Sequence, residues 1–280
     1  GGGNGSAAPT PTPGPSPTPD YTKARSIVVS SFGFVFPETG ADACPTGFNR
    51  GPVERQAAGL PPLADDCRAP ESYADPDYRT LDADGTVAAL DIDGESSRKR
   101  DGGSCAHDDF TETSGAPGAD DQLWRAIGCI RGFQKGDIVG SVVDGAVRDG
   151  SMTILVDVQG VDDPQNDDDV AVQVFSSKDA PPTGGDGSVL PYGTLGIDPD
   201  ERFHSSVGHG RIENGVVIAG PLDVRIRLNI QIVLGELSFR DAFVRVELHP
   251  DGTASGGIFG FAPGSDVHEL FGRQAGTIRA

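Results

Sequence analysis

The chain has 280 residues, with 22 basic against 42 acidic side chains and a formal net charge of −20. That surplus of carboxylates argues against nucleic-acid binding, which needs Lys and Arg to neutralise phosphate, and against docking on anionic lipid headgroups. With 40 Gly and 22 Pro at 36 % hydrophobic content, the composition predicts a turn-rich β protein that still has a core.

The opening GGGNGSAAPTPTPGPSPTP places Pro at every second position from Pro9 to Pro19, with no charged or large apolar side chain before Asp20. Alternating Pro fixes φ, so residues 1–20 read as a semi-rigid extended tether ahead of one domain over 21–280. Gly1 opens the chain and Met152 is its single methionine, which suggests a processed product. The Gly-rich start and Thr-Pro spacer resemble the mature end of a bacterial cell-surface lipoprotein. The resemblance covers about the first twenty residues. It implies an extracytoplasmic location, at the cell surface or in the periplasm, with membrane attachment only through a lipid anchor upstream of Gly1.

Ser26 to Phe36 is β-branched and aromatic, ends at Pro37 and predicts a first strand. The stretch from Pro37 to about Asp82 reads as irregular. Seven Asp-Gly pairs, among them Asp93-Gly94, Asp144-Gly145, Asp149-Gly150, Asp186-Gly187 and Asp251-Gly252, together with Asn214-Gly215, mark turns. A helix is expected over Asp120 to Phe133, with Leu123, Trp124, Ile127 and Ile130 on one face, and another from Ser265. Thr153 to Val158 and Val170 to Phe175 form a candidate strand pair across an acidic loop. From Leu222 to Leu234 apolar residues alternate with mostly polar ones, predicting one long strand or two with a bend. Ala242, Val244, Val246 and Leu248 share one strand face before Asp251-Gly252 turns the chain into Gly256 to Phe261. The expected fold is mainly β: an antiparallel β-sandwich with long disulfide-bearing loops over 21–135, a β-meander over 136–280, and one or two short helices.

Cys44, Cys67, Cys105 and Cys129 contain no CxxC spacing, which disfavours structural zinc. An even number in loop-rich surroundings reads as two disulfides in an oxidising compartment. Sequential pairing, Cys44 with Cys67 and Cys105 with Cys129, is favoured, and the two other pairings stay open.

Two acidic segments are candidate calcium sites, because hard oxygen ligands on turns suit that ion. One carries Asp108, Asp109, Glu112, Asp120 and Asp121 between two cysteines; the other carries Asp162, Asp163, Asp167 and Asp168 in a loop. Asp91 and Asp93 form a weaker D-x-D step. His204 and His209 could hold a transition metal, but no nucleophile, P-loop, dinucleotide or zincin motif is present. Catalysis is therefore the weaker expectation. Arg225, Arg227 and Arg245 should project from one polar strand face, where guanidinium forks could bind an anionic glycan or a partner surface. The sequence thus predicts a surface-tethered binding protein with calcium-ordered loops, recognising a carbohydrate or an envelope protein. A structural subunit of a cell-surface assembly, with possible self-assembly, and a secreted carboxylate-dependent hydrolase are the alternatives.

Overall fold

In a computed structural model of the chain, the residues described here are 23–38, 85–96, 108–127, 136, 138–230 and 233–266. The tether and all four cysteines lie outside them, as does the remainder of the helix expected from Ser265.

The strongest local signal organises the molecule. β-Branched and aliphatic residues at every second position form β8 (Val216–Ile230) and β9 (Val233–Leu248), which pair antiparallel along most of their length, Ile230 opposite Val233. Leu222, Val224, Ile226, Leu228 and Ile230 are buried on one face of β8, and Ala242, Val244 and Val246 on the same face of β9. The single alternating run over 222–234 is therefore two strands. Period-two alternation looks the same on both sides of a tight reversal.

Five more strands complete one antiparallel sheet: β1 (Arg25–Val28), β5 (Thr153–Gln159), β6 (Asn166–Ser177), β7 (Gly208–Glu213) and β10 (Ala254–Phe261), in the order β1-β5-β6-β7-β8-β9-β10. Asn214 and Gly215, with φ of 52° and 81°, form the β7–β8 turn expected of an Asn-Gly pair. The sheet curls over a helix (Ile138–Asp149), whose Ala146 and Val147 are buried with Val156, Val172, Val217 and Val224. The sequence reading places a turn at Asp144-Gly145 within this helix. Two glycines and four valines lower its intrinsic propensity, and burial of an apolar stripe outweighs that deficit. Gly150, at φ 83°, ends it.

A smaller sheet contains β2 (Thr86–Val87), β3 (Phe110–Glu112) and β4 (Pro117–Ala119), with β2 parallel to β3 and β3 antiparallel to β4. Its core is Val87, Ala89, Phe110, Ala119 and Trp124, with Phe259 of β10 packed against it. Trp124 meets Phe110 edge-on at 5.9 Å. Trp124 stands on α1 (Gln122–Ile127), the described part of the helix expected from Asp120; the helix in the large sheet is α2. The fold is thus mainly β, dominated by one large, curled antiparallel sheet.

Candidate functional site

β7 does not accompany β8 over its whole length. Residues 204–206 continue the ladder, through Ser205 N–H to Val174 O and Ser206 N–H to Asp223 O, and then the chain leaves the sheet at Phe203. Beyond that point the Ser176 hydroxyl accepts the Arg227 N–H directly, bridging β6 to β8. The long connection from Lys178 to Asp200 returns over the outer sheet face, held by Asp198 N–H to Ser176 O and Gly196 N–H to the Asp179 carboxylate. An open cleft of about 840 Å³ lies beside it, walled by the β8–β9 hairpin, by Ser177 and Lys178 where the connection begins, by Gly150 and Ser151 and by Phe203. Ser151, Ser177, Lys178, Arg225, Arg227, Asn229, Glu236, Ser238 and Asp266 supply its polar lining.

Arg225 and Arg227 stand on the outer face of β8 because their neighbours Val224, Ile226 and Leu228 take the core face. Arg227 donates from Nε (2.8 Å) and Nη2 (2.6 Å) to Oδ2 of Asp198, whose side chain is wholly shielded from solvent. Oδ1 of Asp198 accepts the Asp200 N–H at 3.0 Å and lies 3.3 Å from Lys178 Nζ. Burial alone would raise the Asp198 pKa, but the Asp200 amide, Arg227 and Lys178 outweigh it and hold the group below the usual carboxylate range. The Arg227 guanidinium also lies 4.1 Å from the ring centre of the buried Phe203. Glu236 accepts from Arg225 Nη1 at 3.0 Å with one oxygen and from Arg202 Nη1 at 2.9 Å with the other. Arg202 is further tied to Asp200, which it holds below the usual carboxylate range through side-chain and backbone bonds.

No protein-family model matches the chain, and no curated protein or solved structure is similar to it. The geometry alone therefore carries the functional argument.

Of the three arginines picked out in the sequence, the cleft gathers Arg225 and Arg227, while Arg245, opposite Ile218 in β8, is outside its lining. Lys178, Asp198, Arg202 and Glu236 are the site residues that sequence reasoning missed. Glu236 faces Arg227 in the hairpin register, so the strand pattern could have supplied it. Asp198 comes from a connection without periodicity and carries no such signal.

The acidic residues are placed differently from one another. Among the described residues one group of three carboxylates converges, Asp91, Asp93 and Asp120, with one oxygen of each inside 4.8 Å of the others. One oxygen of each is anchored by a backbone N–H, that of Gly94 for Asp91, Glu95 for Asp93 and Ile92 for Asp120. Gly118, at φ 95°, lets Asp91 approach, since a Cβ there would stand 2.9 Å from Oδ2. Desolvation, with the charges of Asp93 and Asp109 added, pushes the Asp120 pKa up to about 6. Asp121 instead caps α1 through the Trp124 N–H, and burial pushes its pKa up to about 6. Glu112 accepts from the Ser114 hydroxyl, and Asp108 and the buried Asp109 flank the small core. In the second acidic loop Asp167 uses both oxygens on the N–H groups of Asp162, Asp163 and Asp169, which hold it below the usual range. Asp162 is ion-paired with Lys23, and Asp168 is exposed. His204 Nε2 donates to the Asp198 carbonyl at 2.6 Å, which fixes the ring beside the connection.

Proposed function

We propose that the protein is an extracytoplasmic, surface-tethered binding protein whose ligand site is the cleft between Lys178 and the β8–β9 hairpin. The observation that carries this reading is the convergence of Lys178, Arg225 and Arg227, with serine and asparagine side chains between them, on one open concavity. Alternating charged and hydroxyl groups suit a hydroxyl-rich ligand, and a carbohydrate fits this lining better than an apolar surface does. Binding is favoured over carboxylate-dependent hydrolysis. Glu236 accepts from an arginine with each oxygen, and Asp198 takes two Arg227 donors on Oδ2 and the Asp200 amide on Oδ1 and is held ionised, whereas a general acid needs a raised pKa. An oligosaccharide panel tests the reading: binding that is lost on Arg225→Gln supports it, and binding that survives this change refutes the cleft as the site.

The same reading places calcium at Asp91, Asp93 and Asp120, where three anchored carboxylates each keep an oxygen for a hard cation. It takes the small sheet, which meets the large one at Phe259, as the second layer of a sandwich, and assigns Cys44–Cys67 and Cys105–Cys129 as the bridges of an oxidising compartment. Melting temperatures in calcium and in chelator test the ion; coincident midpoints would remove it. The Thr-Pro spacer supports a tethered surface location, and an envelope glycan or protein is the corresponding partner.

A further inference from the structure

Resting on the cleft as the ligand site, we infer that its ligand is an anionic sugar, one carrying carboxylate or sulfate groups, and that Asp198 is the residue that positions Arg227 to receive it.

Of the two carboxylates that line the cleft, Glu236 is engaged by basic side chains and Asp266 is not; Asp198 and Asp200, which hold the lining cations or their neighbours from behind, are engaged as well. Asp198 gives Oδ2 to Nε and Nη2 of Arg227 and Oδ1 to the Asp200 amide and Lys178. Glu236 gives one oxygen to Arg225 and the other to Arg202. Asp200 takes the remaining Arg202 donors. The cations are only partly engaged. Arg227 keeps Nη1, Arg225 keeps Nε and Nη2, and Lys178, making one contact at 3.3 Å, keeps donor capacity at its tip. Their side chains are 30 %, 35 % and 56 % exposed. A site with all but one carboxylate spent and guanidinium edges unspent selects a ligand that brings acceptors, and charged acceptors bind such edges best.

Preorganisation strengthens the point. Arg227 is fixed on two sides, by a fully shielded carboxylate along its Nε–Nη2 edge and by the Phe203 ring under its plane. Its remaining edge therefore meets a ligand without a rotamer cost. The lining also favours a sugar over an acidic peptide. Ser151 and Asn229 match hydroxyl groups, while Phe203 and Leu228 are 1 % and 8 % exposed and form no pocket for an apolar side chain. Asp266 is the one lining carboxylate without a basic partner among the described residues; it sets a local repulsion against the same ligand.

Calorimetric titration of the full chain at low salt tests this, with oligogalacturonate, its methyl-esterified form, a heparin-derived oligosaccharide, a neutral cello-oligosaccharide and oligoglutamate as probes. The inference expects the uronate or the sulfated sugar to bind, with the stronger of the two identifying the anion, and both to weaken as salt rises. Esterification should cost at least about tenfold in affinity, the size expected for losing a charged hydrogen bond. Arg227→Gln and Arg225→Gln should each lower affinity for the charged sugar, and Asp266→Asn should raise it. Asp198→Asn should lower the ratio of charged to esterified binding, a selectivity change that a merely structural role would not produce. Equal binding of ester and acid would overturn the inference while leaving the cleft as a glycan site. Preference for oligoglutamate would overturn the choice of sugar, and no binding by any probe would overturn both this inference and the reading beneath it.

Discussion

Arg227 and Asp198, 29 residues apart in sequence, meet with Nη2 2.6 Å from Oδ2, the carboxylate fully shielded and the guanidinium still reaching solvent. The pair closes the Lys178–Asp200 connection onto β8 at the place where β7 no longer runs beside it. Removing the cation would strand a buried charge, for which Lys178 at 3.3 Å is a weaker partner. Arg227→Ala is therefore expected to destabilise the fold by about 3 kcal/mol and Lys178→Ala by less than about 1 kcal/mol. Chemical denaturation of the two variants checks the ordering.

Helix α2 offers a prediction from two glycines of opposite character. At Gly145, inside the helix, an added Cβ meets nothing within 4 Å; at Gly150, with φ 83°, it would stand 2.6 Å from the Ala180 backbone. Gly145→Ala should stabilise by about 0.5 to 1 kcal/mol, since alanine loses less entropy on entering a helix. Gly150→Ala should destabilise. Thermal melts of both read the sign directly.

Acidification should act on the two halves in opposite ways. Asp120 and Asp121 have folded pKa values raised to about 6 from 3.8, so the folded state holds more protons between those values. Their contribution to stability is full below about pH 4 and is lost as the pH rises through about 6. Asp198, with its pKa lowered, contributes above its ordinary value and loses that contribution as the pH falls through the folded one. Trp124 is the single tryptophan and sits in the small core, so its fluorescence follows the first effect locally. Denaturation monitored at Trp124 should show stability falling from pH 4.5 to pH 7, with a shallower slope in Asp120→Asn.

The small core should be separable in mutants. Phe110, 2 % exposed, carries both the Trp124 edge contact and the Arg125 guanidinium at 4.1 Å. Phe110→Ala is expected to cost about 3 to 4 kcal/mol and to speed amide exchange in β3 and β4 before it affects β8. Hydrogen exchange resolved by peptide measures this.

Much of the large sheet was legible because strand burial writes itself as alternation: Val170, Val172 and Val174, then Ala242, Val244 and Val246, are buried as their spacing predicts. Ser26 to Phe36 yields a strand only at Arg25–Val28, since the backbone ladder with β5 ends at Val29 and Phe32, Val35 and Phe36 pack on the two cores through their side chains instead. α2 was hidden by Gly140, Gly145 and valines, which local propensity reads as turn and strand. At the candidate site Arg225 and Arg227 were visible from strand periodicity. Their geometry depends on Asp198, which no local pattern reveals. Among the carboxylates, Asp120 was visible, but its convergence with Asp91 and Asp93 depends on how α1 and β4 dock on the 91–95 turn.

On the proposed function, ligand enters beside Arg227. Amide chemical shifts recorded while oligogalacturonate or the heparin-derived oligosaccharide is added test it most directly. The account predicts saturable movement of Lys178, Arg225, Arg227 and Glu236 with little change along β10; movement confined to β10 or to the Asp167 loop, with the Arg227 amide unmoved, would contradict it.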